Sequence, residues 1–268
     1  MIKNLTLNKI LYGLTGLLAL IAGVIGVLRP GMYDPVVISR IIPGVFTQDL
    51  LVVVASLVMI GLAVSMRPDD YRKTIVILGI LGFLFYAYGI YAMEQVYTSL
   101  YLLYLAILAL SFYTMAVSLA SLDRSALRAL ELPPGVRYAS AGYGVLIAVM
   151  FNIIWISQLI PLLRTNDRIE NTFSVFVIDL VFIMPSFVIT AYLAVRERAV
   201  GLVGLPALFI VGVGILSPLA LAELLKPSRY GLPLNPGDFW LWMILSGIFL
   251  VVTVIYLGTL KPPAPDND

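Results

Sequence analysis

Eight apolar runs of about 20 residues, joined by short polar connections, leave this chain one class of fold. A run of that length crosses a hydrocarbon core as a helix, which satisfies every backbone donor and acceptor within its own segment. The runs are continuously apolar, whereas a membrane barrel needs in-out alternation. They fall at roughly 8–28, 47–66, 74–93, 100–121, 138–162, 173–195, 200–223 and 238–260. Of the 268 residues 61% are hydrophobic and only 12% charged, with a mean hydropathy of +1.01, well outside globular usage. The reading is an all-α integral membrane protein of about eight transmembrane helices. Lys3 and Lys9 precede the first run, but 10–28 is longer than the core of a secretion signal, so it is read as a spanning helix.

Lys and Arg in the connections set the expected orientation. With the N-terminus cytoplasmic, the inner side collects Lys3, Lys9, Arg67, Arg72, Lys73, Arg124, Arg128, Arg137, Arg196, Arg198 and Lys261. The outer side has Arg29, Arg40, Arg164, Arg168, Lys226 and Arg229. Eleven against six favours a multi-pass cell-membrane protein with both termini cytoplasmic. The net charge of +2 is a topology signal and implies no nucleic acid partner.

The chain has no histidine, which removes bis-histidine haem, His-based zinc sites and imidazole acid-base catalysis. It has no cysteine, which removes thiol redox chemistry, disulfides and iron-sulfur ligation. Lys226 is the nearest candidate for a retinal Schiff base and is expected beyond the end of the seventh helix. No cofactor is expected, and the residues name no metal.

The organisation comes from a quasi-repeat. Val45-Phe46-Thr47-Gln48-Asp49-Leu50 returns as Val175-Phe176-Val177-Ile178-Asp179-Leu180, and the alignment also pairs Ser56 with Ser186. Each copy is followed by a glutamate near the end of the next run, Glu94 and Glu223. The expected division is a four-helix repeat at 1–122, a linker with a short interfacial helix at 123–136, a second four-helix repeat at 137–260 and a disordered tail at 261–268. An even number of crossings per repeat makes the two parallel, with the pseudo-axis along the membrane normal. All four acids then approach the outer face, where they are expected to gather around one vestibule.

Carboxylates carried into lipid are expensive and need a reason. Asp179 is the strongest ligand candidate, being flanked by Phe176, Val177, Ile178, Leu180 and Val181 with no local cation. Its plain alternative is an ion pair with Arg40 or Arg164. Asp49 is placed at a helix start, where capping free N–H groups explains a carboxylate equally well. Glu94 falls in a short connection where solvation accounts for it. Pro185 and Pro218 delete backbone donors near Asp179 and Glu223, and such freed carbonyls need partners.

Helix five adds Asn152, Trp155 and Gln158 at helical spacing, either as pocket lining or as interhelical hydrogen bonding. Tyr97, Tyr101 and Tyr104 fit an aromatic belt or the wall of an amphipathic site. Ala19 with Gly23, and Ala22 with Gly26, are small-residue pairs for close helix approach.

The run 45–50, the segment 82–88, Leu102-Leu103-Tyr104 with Leu110-Ser111-Phe112-Tyr113, and Asp179-Leu180 with Pro185 resemble a group of uncharacterised multi-pass membrane proteins of bacteria and archaea. The resemblance covers nearly the whole chain and implies no activity. Three functions remain open. The first is a transporter or binding protein that holds a small cation or polar small molecule through Asp179, Asp49 and Glu223. The second is a structural or accessory subunit with a membrane protein partner. The third is an intramembrane lipid-modifying enzyme using paired acids or a magnesium site. The lipid bilayer is a partner in all three.

Overall fold

The computed structural model describes residues 2–166, 169 and 172–261, apart from the side chains of Arg124 and Arg128. Arg168 of the outer-side count and the tail from 262 onward therefore lie outside the described residues. Among the described residues ten α-helices run in the order α1 (Leu5–Leu28), α2 (Ile42–Ser65), α3 (Tyr71–Met93), α4 (Tyr101–Ala120), α5 (Arg124–Arg128), α6 (Pro134–Thr165), α7 (Phe173–Ile178), α8 (Met184–Val195), α9 (Ala199–Tyr230) and α10 (Pro236–Thr259). A π turn at Asp179–Ile183 joins α7 and α8 into one span, which leaves eight helices long and apolar enough to cross a bilayer among the described residues. Leu102, Leu163, Val64 and Leu28 each expose more than 70% of their surface. Apolar faces of that extent suit lipid, not water.

Helix starts and stops follow local chemistry. Proline occupies the first turn of α2, α6 and α10, where no N–H is required. The Asn235 side chain accepts from the N–H groups of Gly237 and Asp238 to cap α10. Asp123 caps the five-residue α5 in the same way, and Leu127 and Leu130 beside it are buried. Two boundaries differ most from the sequence reading. Helix α2 begins at Ile42, not near 47, because Pro43 opens a helix well. Helix α9 continues past 223 to Tyr230, through Pro227, and ends on Gly231 in the left-handed region at φ 63°. Lys226 is therefore inside the helix.

Helices α3 and α9 form the centre and are buried over most of their length. Around them α1 packs on α2 and α4, α3 on α2 and α4, α6 on α8, α8 on α9, and α9 on α10 and α2. Small residues make the central crossing close. A Cβ on Gly79 would lie 2.5 Å from the Ile210 side chain, and one on Gly214 would lie 2.7 Å from the Phe83 ring. Gly16, Gly23 and Gly26 do the same for α1 against α2.

Both ends of the described chain meet at one end of the bundle. Ile2 bridges to Leu122, Glu131 bridges to Lys261, and the Tyr71 hydroxyl donates to the Leu260 carbonyl at 2.9 Å. Arg137 pairs with Glu197 near this end. The connections after α1, α3, α6 and α9 lie at the opposite end.

Candidate functional site

The site begins with a backbone irregularity. At Asp179 the helix widens by one residue, and the Met184 N–H bonds to the Asp179 carbonyl instead of closing an α turn. Pro185 follows at once and has no N–H to continue the ladder, so the wide turn and the proline form one defect. Asp179 sits on this turn with only 5% of its surface exposed. Trp155 on α6 donates its indole N–H to Oδ2 at 2.8 Å, and the Tyr86 phenol on α3 faces the same carboxyl. The Trp155 ring is steadied edge-on by Phe176, with centroids 5.1 Å apart. Among the described residues no Lys or Arg pairs with Asp179.

The carboxyl opens onto a cavity of about 330 Å³ between α2, α3, α6, α7–α8, α9 and α10. Gln158, Thr172, Leu219 and Trp242 line the part toward the end opposite the termini, while Ile147, Phe187, Gly212 and Phe249 line its depth. Phe187 and Phe249 in this floor pack on each other and on Phe209 behind them as tilted ring pairs, with centroids 5.9 to 6.1 Å apart. The walls are mostly apolar and aromatic, with polar groups at Gln48, Tyr86, Trp155, Gln158, Thr172, Asp179 and Trp242. That is the usual make-up of a small-molecule site, at the lower end of the usual size.

No protein family, no curated protein and no solved structure matches this chain. The geometry has to speak for the site.

Of the other expected site residues, Trp155 and Gln158 line the cavity and Asn152 does not. Asn152 donates to its own helix at the Ala148 carbonyl, 2.7 Å away, and lies in a shallow outer groove with Ile153, Ile156 and Ile160. Asp49, Glu94 and Glu223 have partners elsewhere, so the four acids do not form the single vestibule expected from the repeat. Because α2 starts early, Asp49 lies about two turns inside the helix and caps nothing. It is 1% exposed and accepts from the Tyr33 hydroxyl at 2.6 Å and the Tyr91 hydroxyl at 2.9 Å. The residues before it are also committed: Thr47 donates to the Pro218 carbonyl at 2.8 Å, and Gln48 to the Ala87 carbonyl at 3.4 Å.

Glu94 accepts from the Ser174 N–H at 2.8 Å and from its hydroxyl at 2.5 Å, which ties the end of α3 to the first turn of α7. Glu223 is buried, pairs with Lys226 one turn on, and accepts the Asn235 N–H at 3.1 Å. Both are joints between connections. Among the described residues no three acids stand close enough to hold one metal ion.

Tyr33, Tyr86, Gln48 and Trp242 were not read as site residues from the sequence. Tyr33 lies in a proline-rich connection without periodicity, and the others are single polar or aromatic positions in apolar runs. Only Gln48, next to an acid inside a span, carried a usable signal.

Proposed function

We propose that this is a multi-pass cell-membrane protein that binds, and carries across the bilayer, a small amphipathic molecule whose cationic head meets Asp179. The observation that carries the reading is a buried carboxyl without a Lys or Arg partner at the side of an aromatic cavity of about 330 Å³. A cationic ligand supplies the missing countercharge, and the Trp155, Phe176 and Tyr86 rings are suited to surround an ammonium group. The apolar floor takes the rest of the molecule. A small inorganic cation would leave that floor empty, which favours an organic one.

Two finer features go with this proposal. The halves 1–122 and 137–260 are parallel four-helix repeats, supported by the shared motif around Asp49 and Asp179 and by the matching central positions of α3 and α9. Both termini are cytoplasmic, supported by the Lys and Arg excess at their end, so the polar end of the cavity faces outward.

The test is a titration of the lipid-reconstituted protein with a graded series of aryl-alkyl amines, read by tryptophan fluorescence. Trp155 and Trp242 line the cavity, and only Trp240 of the three tryptophans stands outside it. Asp179→Asn keeps the shape and removes the charge. Breaking a buried charge pair in this way typically costs about 2–5 kcal/mol, so affinity should fall by about thirty-fold or more. Equal binding by wild type and Asp179→Asn, or no binding across the series, would remove the proposal. Amine uptake into proteoliposomes then separates a carrier from a receptor.

A further inference from the structure

Asp49 stands at the end of a hydrogen-bonded chain that the cavity does not use. The Tyr33 hydroxyl bonds Asp49 Oδ2 at 2.6 Å, the Tyr33 and Tyr104 hydroxyls are 3.2 Å apart, and Thr98 Oγ1 lies 3.2 Å from the Tyr104 hydroxyl. Proton counting fixes the direction of each link. Tyr33 has one hydroxyl hydrogen and gives it to the carboxylate, so Tyr104 must donate to Tyr33. Tyr104 has then spent its own, so Thr98 must donate to Tyr104. All three hydroxyls point inward, from the connection between α3 and α4 to a carboxylate 1% exposed. Thr98 is partly exposed in that connection, at the end opposite the termini.

We infer that Asp49 is a proton-binding site, filled from the membrane surface through Thr98, Tyr104 and Tyr33. The step balances. A hydronium ion at the surface gives its proton to the Thr98 oxygen, whose hydrogen passes to Tyr104. The hydrogen of Tyr104 passes to Tyr33 and that of Tyr33 to Asp49 Oδ2. Four O–H bonds break, four form, no electrons change owner, and one water molecule is released. The chain is left pointing outward, and rotation of the hydroxyls resets it.

The surroundings suit a proton better than any larger cation. Helix α1 presents Gly26 to the carboxyl, and a Cβ there would already collide with it. The connection after α1 presents Tyr33, α3 presents Tyr88 and Tyr91, and α4 presents Tyr104. Helix α9 meets this level of α2 through Thr47. Among the described residues no Lys or Arg pairs with Asp49. The rings pack closely, Tyr91 on Tyr104 at 5.0 Å and Tyr88 on both, so no hydrated ion has room. Tyr88 is fully buried with its hydroxyl unpartnered, so the knot holds a spare polar group beside the chain. The inference does not depend on any ligand at Asp179.

The experiment is infrared spectroscopy of the full protein in lipid, following the carbonyl stretch of protonated carboxyl groups after a drop in pH. Wild type should show a band that is missing in Asp49→Asn. Tyr104→Phe removes the middle link and leaves the acid, so the band should reach the same final amplitude but form about ten-fold or more slowly, the effect of roughly 1.4 kcal/mol on the barrier. Thr98→Val should slow it likewise. If Asp49→Asn does not accumulate, the double variant Asp179→Asn/Glu223→Gln removes the other buried carboxyls among the described residues, and the remaining buried band reports Asp49. Absence of that band at every pH where the protein stays folded overturns the inference, and so does an unchanged rate in Tyr104→Phe.

Discussion

Replacing Gly26 by alanine adds one methyl group at the tightest contact around Asp49. The new Cβ would overlap Asp49 Oδ2 and lie 2.6 Å from Asp49 Cγ and 2.8 Å from the Tyr33 hydroxyl. Neither neighbour yields freely, since Tyr33 is fully buried and the carboxyl is bonded on both oxygens. Overpacking alone costs about 1–3 kcal/mol. Displacing the carboxyl from one phenol adds about 1 kcal/mol, so the expected loss is about 2–4 kcal/mol. The alanine's better helix propensity returns less than about 1 kcal/mol of it. Gly13 is the internal control, because it lies on the same helix with nothing within 4 Å of its Cβ position. Gly13→Ala should be neutral or slightly stabilising. The assay is reversible denaturation in mixed micelles, run as a double-mutant cycle with Asp49→Ala. Removing the carboxyl removes the nearer obstacle and releases the Tyr33 hydroxyl to shift into the space it leaves, so Gly26→Ala should cost under about 1 kcal/mol in that background, a coupling of the size found between touching residues. The same cost in both backgrounds would refute the steric argument.

Glu94→Gln weakens the two bonds to Ser174 and should cost about 1 kcal/mol, as loss of a helix cap does, with faster amide exchange confined to the first turn of α7. Unchanged exchange there would show that the joint is not held by the charge. At the α9 end, Lys226→Met should destabilise more than Glu223→Gln in a chemical denaturation series. The first strands a buried carboxylate, whereas Lys226 left alone can reach water and glutamine still accepts from Asn235. The reverse order would contradict the assignment. Asp70→Asn should cost less than about 1 kcal/mol, because the Asp70–Lys73 pair is partly exposed. The Lys73 ammonium and the Arg67 N–H hold the Asp70 carboxyl below its ordinary value. Its contribution is therefore full above the ordinary carboxylate range and lost as pH falls through the lowered value, so wild type and Asp70→Asn should converge in acid.

The spans were readable because lipid imposes one requirement over 20 residues at a time, and each apolar run meets it without help from its neighbours. Their ends were less readable. Pro43 and Pro227 look like breaks, yet the first opens α2 and the second lies inside α9, with Gly231 deciding where that helix stops. Partner choice was the least legible level. Asp49 meets tyrosines 16 and 42 residues away, one of them in a connection with no regular pattern, and local sequence carries no trace of such pairings. Asp179 stood out because an acid in an apolar run with no nearby cation contradicts its surroundings, and that contradiction survives in the fold. Glu94 and Glu223, at the ends of their runs, belong to joints, since a carboxylate near a helix end can satisfy a neighbouring segment's N–H as readily as a ligand.

Thr47, Gln48 and Asp49 leave α2 about 100° apart, and each is held by a different part of the molecule: the α9 backbone, the α3 backbone, and the tyrosines of α3 and the first connection. At this level α2 is a shaft gripped from three sides, with Gly26 of α1 pressed against the carboxyl. A shaft held in this way cannot turn or slide without releasing at least one grip. Asp49 is thus one residue from Gln48, which forms part of the wall of the Asp179 cavity, and two from Thr47, which reaches α9 in the other half of the chain.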